Sequence, residues 1–246
     1  EIQFDGFTYP ALDQIFSHAA RMRTRTRSNI TCPIVVRFPY GGGIRALEHH
    51  SESPETYFIH TAGLKVVVPS NPYDAKGLLI SAIKDPNPVI FMEPKRIYRA
   101  IKQEIPDDSY TVPIGEAKIV REGKDCTIIS WGAMVREAER AARELESAGV
   151  DCEVIDVRTL SPCDYKTIIE SVKKTGRAVI VHEAPRTLGF GAEISARIQE
   201  RAILSLKAPI FRVTGPDVPY PLFKLENYYL PNAEKIIEAV KKVIGF

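Results

Sequence analysis

Short, mostly apolar runs alternate along this chain with longer stretches in which apolar residues return every three or four positions, a pattern that predicts strands separated by helices. Residues 33–37, 64–68 and 88–92 are of the first kind, and 64–68 suits a parallel strand covered on both faces. From Asp13 onward, Leu12, Ile15, Phe16, Ala19 and Ala20 share one stripe, which predicts a core-facing helix entered through Pro10. Asn71-Pro72 opens a second helix with Ala75, Leu78, Leu79, Ala82 and Ile83 inward. The later half repeats the alternation more cleanly. Strands are expected at 126–130, 152–157, 178–182 and 210–213, and helices at 134–146, 165–174, from 191 to about 204, and at 233–243. In the helix at 134–146, Met134, Ala138, Ala141, Ala142 and Leu145 form the buried stripe, while Arg136, Glu137, Arg140 and Glu144 are expected to face water. Each parallel return needs a crossover helix, so the fold class is α/β: two three-layer α/β domains with mainly parallel sheets. Between Glu93 and Pro113 the periodicity dissolves into prolines and charges. The expected division is a first domain over 1–100, lacking its opening strands, a linker over 101–116 and a second domain over 117–246.

Composition adds exclusions. At 246 residues and 44% hydrophobic content there is material for sizeable cores. A net charge of +2 carries no polyanion footprint, and the one basic run, Arg21 to Arg27, reads as a solvated helix end, so no nucleic-acid partner is expected. No apolar run reaches the roughly 18 residues of a membrane span. Cys32, Cys126, Cys152 and Cys163 show no Cys-x-x-Cys spacing and read as small core residues of a reducing compartment. The chain opens on Glu1-Ile-Gln-Phe4 without a methionine, which suggests a natural segment upstream.

Chemistry concentrates between Arg37 and Pro69. A buried strand runs into Gly41–Gly43, and the loop closes on His49-His50-Ser51 before a helix signal at Pro54. Titratable imidazoles after a glycine-rich turn at a strand end read as an active-site loop. A bare glycine triplet is a weak phosphate-cradle signal, and these glycines are read as shaping the loop. His182-Glu183, at the end of another expected strand, reads as structural or interfacial.

Pro39-Tyr40-Gly41, His50-Ser51, Ser53-Pro54-Glu55, Asn87-Pro88, Glu93-Pro94-Lys95, Val181-His-Glu-Ala-Pro185, Gly189-Phe-Gly-Ala-Glu193 and Arg212-Val-Thr-Gly-Pro-Asp217 together resemble the beta subunit of the thiamine-dependent 2-oxoacid dehydrogenase E1 component, over essentially the whole chain. The resemblance implies a transketolase-like pyrimidine-binding domain followed by a transketolase-type C-terminal domain. It implies an α₂β₂ assembly with an E1 alpha subunit, which holds the diphosphate and Mg²⁺ of thiamine diphosphate through a Gly-Asp-Gly motif absent from this sequence. It also implies docking of the E2 subunit-binding and lipoyl domains, for which Tyr228, Tyr229 and Phe246 are candidate contacts.

By the same resemblance His50 stands beside the cofactor's reacting carbon and serves reductive acylation of the lipoyl group; the plain alternative is a loop histidine capping the helix near Pro54. His49 replaces the family's Tyr and is the competitor for that role. Glu48 and Glu52 also depart from the family pattern, and a carboxylate pointing inward raises the pKa of His50. Phe7 is expected against the aminopyrimidine, with plain core packing as its alternative. Asp85 and Asn87 match a monovalent-cation (K⁺) site of some relatives; the favoured reading is a helix-ending turn. The glutamate that activates the cofactor lies, in the family, before the position of Glu1, so the chain alone is expected to be inactive. Branched-chain acids are favoured over pyruvate, and a homo-oligomer is expected when the alpha subunit is missing. A prokaryotic cytoplasm is favoured over the mitochondrial matrix. Two rival readings are a fragment of a single-chain transketolase-like enzyme and a non-catalytic assembly module.

Overall fold

The computed structural model describes residues 1–246. In the first half β1 (Val35–Tyr40), β2 (Lys65–Val67) and β3 (Val89–Pro94) run parallel in the order β1-β3-β2. With them go α1 (Met22–Arg25), α2 (Glu55–Ile59) and α3 (Pro72–Lys84). α3 begins where the Asn71 side chain accepts the Asp74 N–H at 2.9 Å and Pro72 fills a position that needs no donor. Side chains alternate across the sheet: Phe38, Val66, Ile90 and Met92 enter the central core, while Val67, Val89 and Phe91 pack on Leu78 and Ala82 of α3. Ile83, expected inward, is 63% exposed. The helix expected from Asp13 is present but irregular: helical turns run unbroken from Asp5 into α1, tight 3₁₀ at Asp5–Ala11, a wider π stretch at Gln14–His18 and 3₁₀ again at Ala19–Arg21. Pro10 sits inside the first of them, where it removes a backbone donor.

The second half holds β4 (Lys118–Arg121), β5 (Cys126–Ser130), β6 (Cys152–Asp156), β7 (Thr159–Ser161), β8 (Ala178–Pro185) and β9 (Phe211–Gly215). Its helices are α4 (Met134–Glu146), α5 (Tyr165–Thr175), α6 (Phe190–Ala202), α7 (Glu226–Tyr229) and α8 (Ala233–Ile244). Five strands form a sheet in the order β4-β6-β5-β8-β9, antiparallel at the β4 edge and parallel elsewhere. Ile128, Val154 and Val179 pack on α4 and α8; Ile129, Ile155 and Ile180 face α5, α6 and the core of the first half. That first cluster takes buried residues from both halves, so a single apolar interior joins them. Glu137, expected in water, is buried on α4, where its carboxylate takes Arg96 at 2.7 Å and the Ala233 N–H at 3.0 Å.

The joint between the sheets is polar as well as apolar. β7 leaves its own half and lies antiparallel to β2, completing the first sheet in the order β1-β3-β2-β7. Just before it, Arg158 takes a left-handed backbone (φ 55°) and buries its guanidinium. There it donates to Asp74 at 3.1 Å and to the Glu116 carbonyl at 3.2 Å, while its own carbonyl accepts the Val68 N–H at 2.8 Å. Asp156, raised to about 7 by burial, accepts from Ser70 and from the Arg158 N–H. Removing Arg158 leaves the Asp74 carboxylate buried without its cation. Arg158→Ala is therefore expected to cost roughly 3–5 kcal/mol, measured as the loss of unfolding free energy in urea; a loss below about 1 kcal/mol counts against a joint held by this pair.

Candidate functional site

β1 and β3 are neighbouring parallel strands, so the loop after Tyr40 and the residues after Pro94 leave from the same edge of the sheet. Lys95 follows β3 and is buried. Its ammonium pairs with Asp5 at 3.0 Å and donates to the backbone carbonyl of His50. Asp5 closes the arrangement: its other oxygen accepts the Glu52 N–H at 3.0 Å. Burial raises the Asp5 carboxyl to about 6 despite Lys95 beside it, and burial lowers the Lys95 ammonium. The loop end carrying both histidines is thus tied to β3 and to the N-terminal segment through one desolvated ion pair.

The His50 ring is stacked on Phe4 (centroids 4.6 Å apart, planes at 21°), with Phe7 against it edge-on at 4.8 Å and the His49 ring at 4.0 Å. Its Nδ1 is buried without a partner. Burial first, then the charges of His49 and Lys95, hold its pKa below the ordinary imidazole value, which keeps the ring neutral near pH 7. Neither extra carboxylate points at it. Glu52 accepts from the Tyr9 hydroxyl, and Glu48 lies 3.7 Å from the outer histidine, His49. Phe7 is 48% exposed, so it belongs to an open aromatic platform rather than to the core.

The glycine turn is held from the second half. Glu183, buried on β8, accepts the Gly42 N–H at 2.9 Å, and buried Glu226, opening α7, accepts the Gly43 N–H at 2.8 Å. These amides are already satisfied by carboxylates, so the turn has no free cradle for a phosphate. Sequence reasoning gave neither glutamate a task at this loop.

Asp85 and Asn87 lie far along the sheet from His50, at the start of β3. Asp85 takes the Lys65 ammonium and, at 2.9 and 3.0 Å, the backbone and side-chain N–H groups of Asn87; Asn87 Oδ1 takes Arg23 at 2.8 Å. Burial pushes the Asp85 carboxyl up, but these donors outweigh it and hold it below its ordinary value. Two protein cations thus sit on side-chain oxygens of the pair, which favours the turn as its role. No cluster of three His, Cys, Asp or Glu residues suits a metal elsewhere. Of the aromatics expected at a docking surface, Tyr228 and Phe246 are exposed, whereas Tyr229 is buried against Tyr220, ring centroids 4.7 Å apart.

Buried polar side chains also lie between the two halves. Both oxygens of Glu55 and both ring nitrogens of His182 are buried without hydrogen-bond partners, and His182 stacks on Trp131 at 5.3 Å. Burial lowers His182 to about 3 and, helped by the charge of Glu183, raises Glu55 to about 8.

Comparison with known proteins agrees with this geometry. Residues 1–101 match the family model described as the transketolase pyrimidine binding domain, and residues 115–236 the transketolase C-terminal domain. The chain is 52% identical over 243 residues to the pyruvate dehydrogenase E1 component subunit beta of Acholeplasma laidlawii, covering 99% of this chain and 74% of that one. It is 48% identical to the Bacillus subtilis protein of the same name, over 100% of this chain and 76% of the other. Identity is 51% to the mitochondrial 2-oxoisovalerate dehydrogenase subunit beta of Dictyostelium discoideum, over 100% and 67%. A solved structure described as a split gene transketolase, inactive beta4 tetramer, superposes with a TM-score of 0.77 at 22% identity, over 99% of this chain and 74% of that one, and so shares the fold.

Glu55 sets a pH test. Its folded pKa of about 8 exceeds the unfolded value of ~4.3, so the stability tied to its proton is complete below pH ~4 and is lost as pH rises through 8. Glu55→Gln lacks that loss. Urea unfolding of both proteins at pH 5, 7 and 9 is expected to show the variant gaining on wild type by a few kcal/mol in total, with the gain levelling above pH 8; a difference that does not change with pH rules out a protonated Glu55.

Proposed function

Because the chain belongs to the family of E1 beta subunits of 2-oxoacid dehydrogenase complexes, we propose that it works with an alpha subunit in oxidative decarboxylation of a 2-oxoacid and in reductive acylation of E2 lipoyl-lysine. The observation that carries this reading is the cluster of Phe4, Phe7 and His50 at the carboxyl edge of the first sheet. The half-exposed Phe7 ring offers a flat apolar face suited to an aminopyrimidine, in a region that matches a pyrimidine-binding domain. The residues fit that half of thiamine diphosphate only. The glycine amides are taken by Glu183 and Glu226, and the diphosphate and Mg²⁺ sites are assigned to the alpha subunit. When bound, the cofactor supplies the carbanion chemistry of decarboxylation.

This chain's part is orientation and proton handling. Phe7 holds the aminopyrimidine in one plane. His50, fixed by its stack on Phe4 and by Lys95 at its carbonyl, rests as a neutral imidazole; once it has taken up a proton, its imidazolium form gives that proton to the lipoyl thiolate released as the disulfide opens and returns to the neutral ring. His49 lies further out, beside Glu48. Similarity divides evenly between the two substrate classes, 52% to a pyruvate enzyme and 51% to a 2-oxoisovalerate enzyme. The exposed Tyr57 and Leu188, flanking a 1170 Å³ groove lined also by Phe190 and Tyr165, favour a subunit contact on that face, with self-association when alpha is missing. Four free cysteines suit a reducing compartment, and the prokaryotic cytoplasm is the proposed one.

The test pairs the full-length beta chain with its alpha subunit, thiamine diphosphate and Mg²⁺, over pyruvate and branched 2-oxoacids. His50→Ala is expected to cut lipoyl acylation by about 100-fold or more while turnover with an artificial electron acceptor falls much less. Equal rates in wild type and variant move the role to His49 or remove it, and the acid turned over fastest identifies the substrate.

A further inference from the structure

The loop between β1 and His50 is fixed at both ends by buried charge, and one of those ends belongs to the other half of the molecule. Glu226 Oε1 accepts the Gly43 N–H and the Tyr220 hydroxyl, each at 2.8 Å, and both of its oxygens lie 3.3 Å from the Arg45 N–H. Glu183 Oε2 takes the Gly42 N–H at 2.9 Å. Three amides of one turn thus converge on two carboxylates, an anion-binding concavity whose anions are the protein's own. The backbone is bent to suit: Gly43 (φ 90°) and Arg45 (φ 59°) are left-handed, a shape that a non-glycine residue keeps only where its surroundings hold it. Close approach requires the bare turn, since a Cβ on Gly42 would stand 1.9 Å from the Tyr220 hydroxyl oxygen. Downstream, the Leu47 carbonyl takes the His50 N–H at 3.0 Å, and His50 passes its own carbonyl to Lys95.

We propose that Glu226, with Glu183, is a positioning residue: the second domain holds the turn at Gly42–Arg45 and thereby sets the place of the His50 imidazole. This rests on the reading of His50 given above. A charged carboxylate accepting several backbone N–H groups holds them more firmly than neutral acceptors do. Without Glu226 the segment from Gly41 to Leu47 keeps its ties at Gly41, to the Glu52 carbonyl, and at Gly42, to Glu183, but loses those at Gly43 and Arg45, and the ring loses part of its fixed approach to a second substrate. Transfer to the lipoyl group, which needs that approach, suffers more than turnover with a small acceptor.

The experiment uses the full-length chain, alone and assembled with its alpha subunit, as wild type, Glu226→Ala, Glu226→Gln, Tyr220→Phe and His50→Ala. Backbone hydrogen exchange across 41–47 is expected to speed up about tenfold or more in Glu226→Ala, less in Tyr220→Phe, and to be largely restored in Glu226→Gln, which keeps one acceptor oxygen. In the assembly, the ratio of lipoyl acylation to artificial-acceptor turnover is expected to fall about tenfold in Glu226→Ala and to recover most of that loss in Glu226→Gln. If Glu226→Ala does not fold, Tyr220→Phe and Glu226→Gln carry the same comparison at smaller amplitude. Unchanged exchange in the variants overturns the inference whatever the activity. A ratio lowered by His50→Ala but not by Glu226→Ala overturns it alone; a ratio that His50→Ala leaves at the wild-type value overturns the His50 reading and the inference together.

Discussion

A guanidinium taken out of water must find its hydrogen bonds inside the protein, and Arg158 finds them on both sides of the joint between the two sheets. Asp74 comes from α3 and the Glu116 carbonyl from the connecting segment, while the backbone carbonyl of Arg158 itself accepts the Val68 N–H from the end of β2. Each ion is expensive to desolvate, so the arrangement tolerates little displacement. The antiparallel pairing of β7 with β2 follows directly after Arg158 in the chain. The two sheets therefore have one mutual orientation, and everything built from loops of both depends on it.

The site is such a construction. The carboxyl edges of β1 and β3 present the glycine turn and Lys95, and β8 of the other sheet presents Glu183 to the same turn. A turn with no side chains of its own exposes backbone N–H groups that have to be satisfied when buried. Here acidic side chains of the second half do this. The same choice decides what the turn does not do: Glu183 and Glu226 place negative charge where a phosphate cradle would need none.

Much of the architecture was legible because its residues answer to local rules. The α4 stripe of Met134, Ala138, Ala141, Ala142 and Leu145 and the β5 strand emerge with the expected bounds, since amphipathic period and apolar run agree there. β7 was not legible: three residues after Asp156 carry no period of their own, and their pairing is set by Arg158 and β2. Glu137 broke the helical pattern for a similar reason, drawn inward by Arg96 from the first half. Tyr229 sits in a stretch that reads as exposed, yet the Tyr220 ring covers it. Within the candidate site, His50 and Phe7 were singled out through their neighbours in sequence, and the fold brings their rings to 4.8 Å. Glu183 and Glu226 were not, because nothing near them along the chain records a partner about 140 to 180 residues away.

Asp85 and Asn87 show how one set of oxygens admits two readings until its neighbours are known. Oxygen-rich turns suit hard cations, and a sequence holding Asp and Asn two apart cannot state which cation arrives. The fold brings Lys65 from β2 and Arg23 from α1. Both are covalently part of the chain and reach these oxygens without paying the entropy of binding a free ion. The turn then anchors the opposite edge of the sheet from His50. Charge pairs thus appear at each level of the first half: Lys65 with Asp85 where β3 begins, Lys95 with Asp5 where it ends, and Arg158 with Asp74 where it meets its neighbour. Of these, the Lys95 pair bears most directly on chemistry. It fixes the His50 carbonyl, and its positive charge adds to burial and to the neighbouring His49 in holding the imidazole pKa below its ordinary value, so the same pair that places the ring also bears on its protonation.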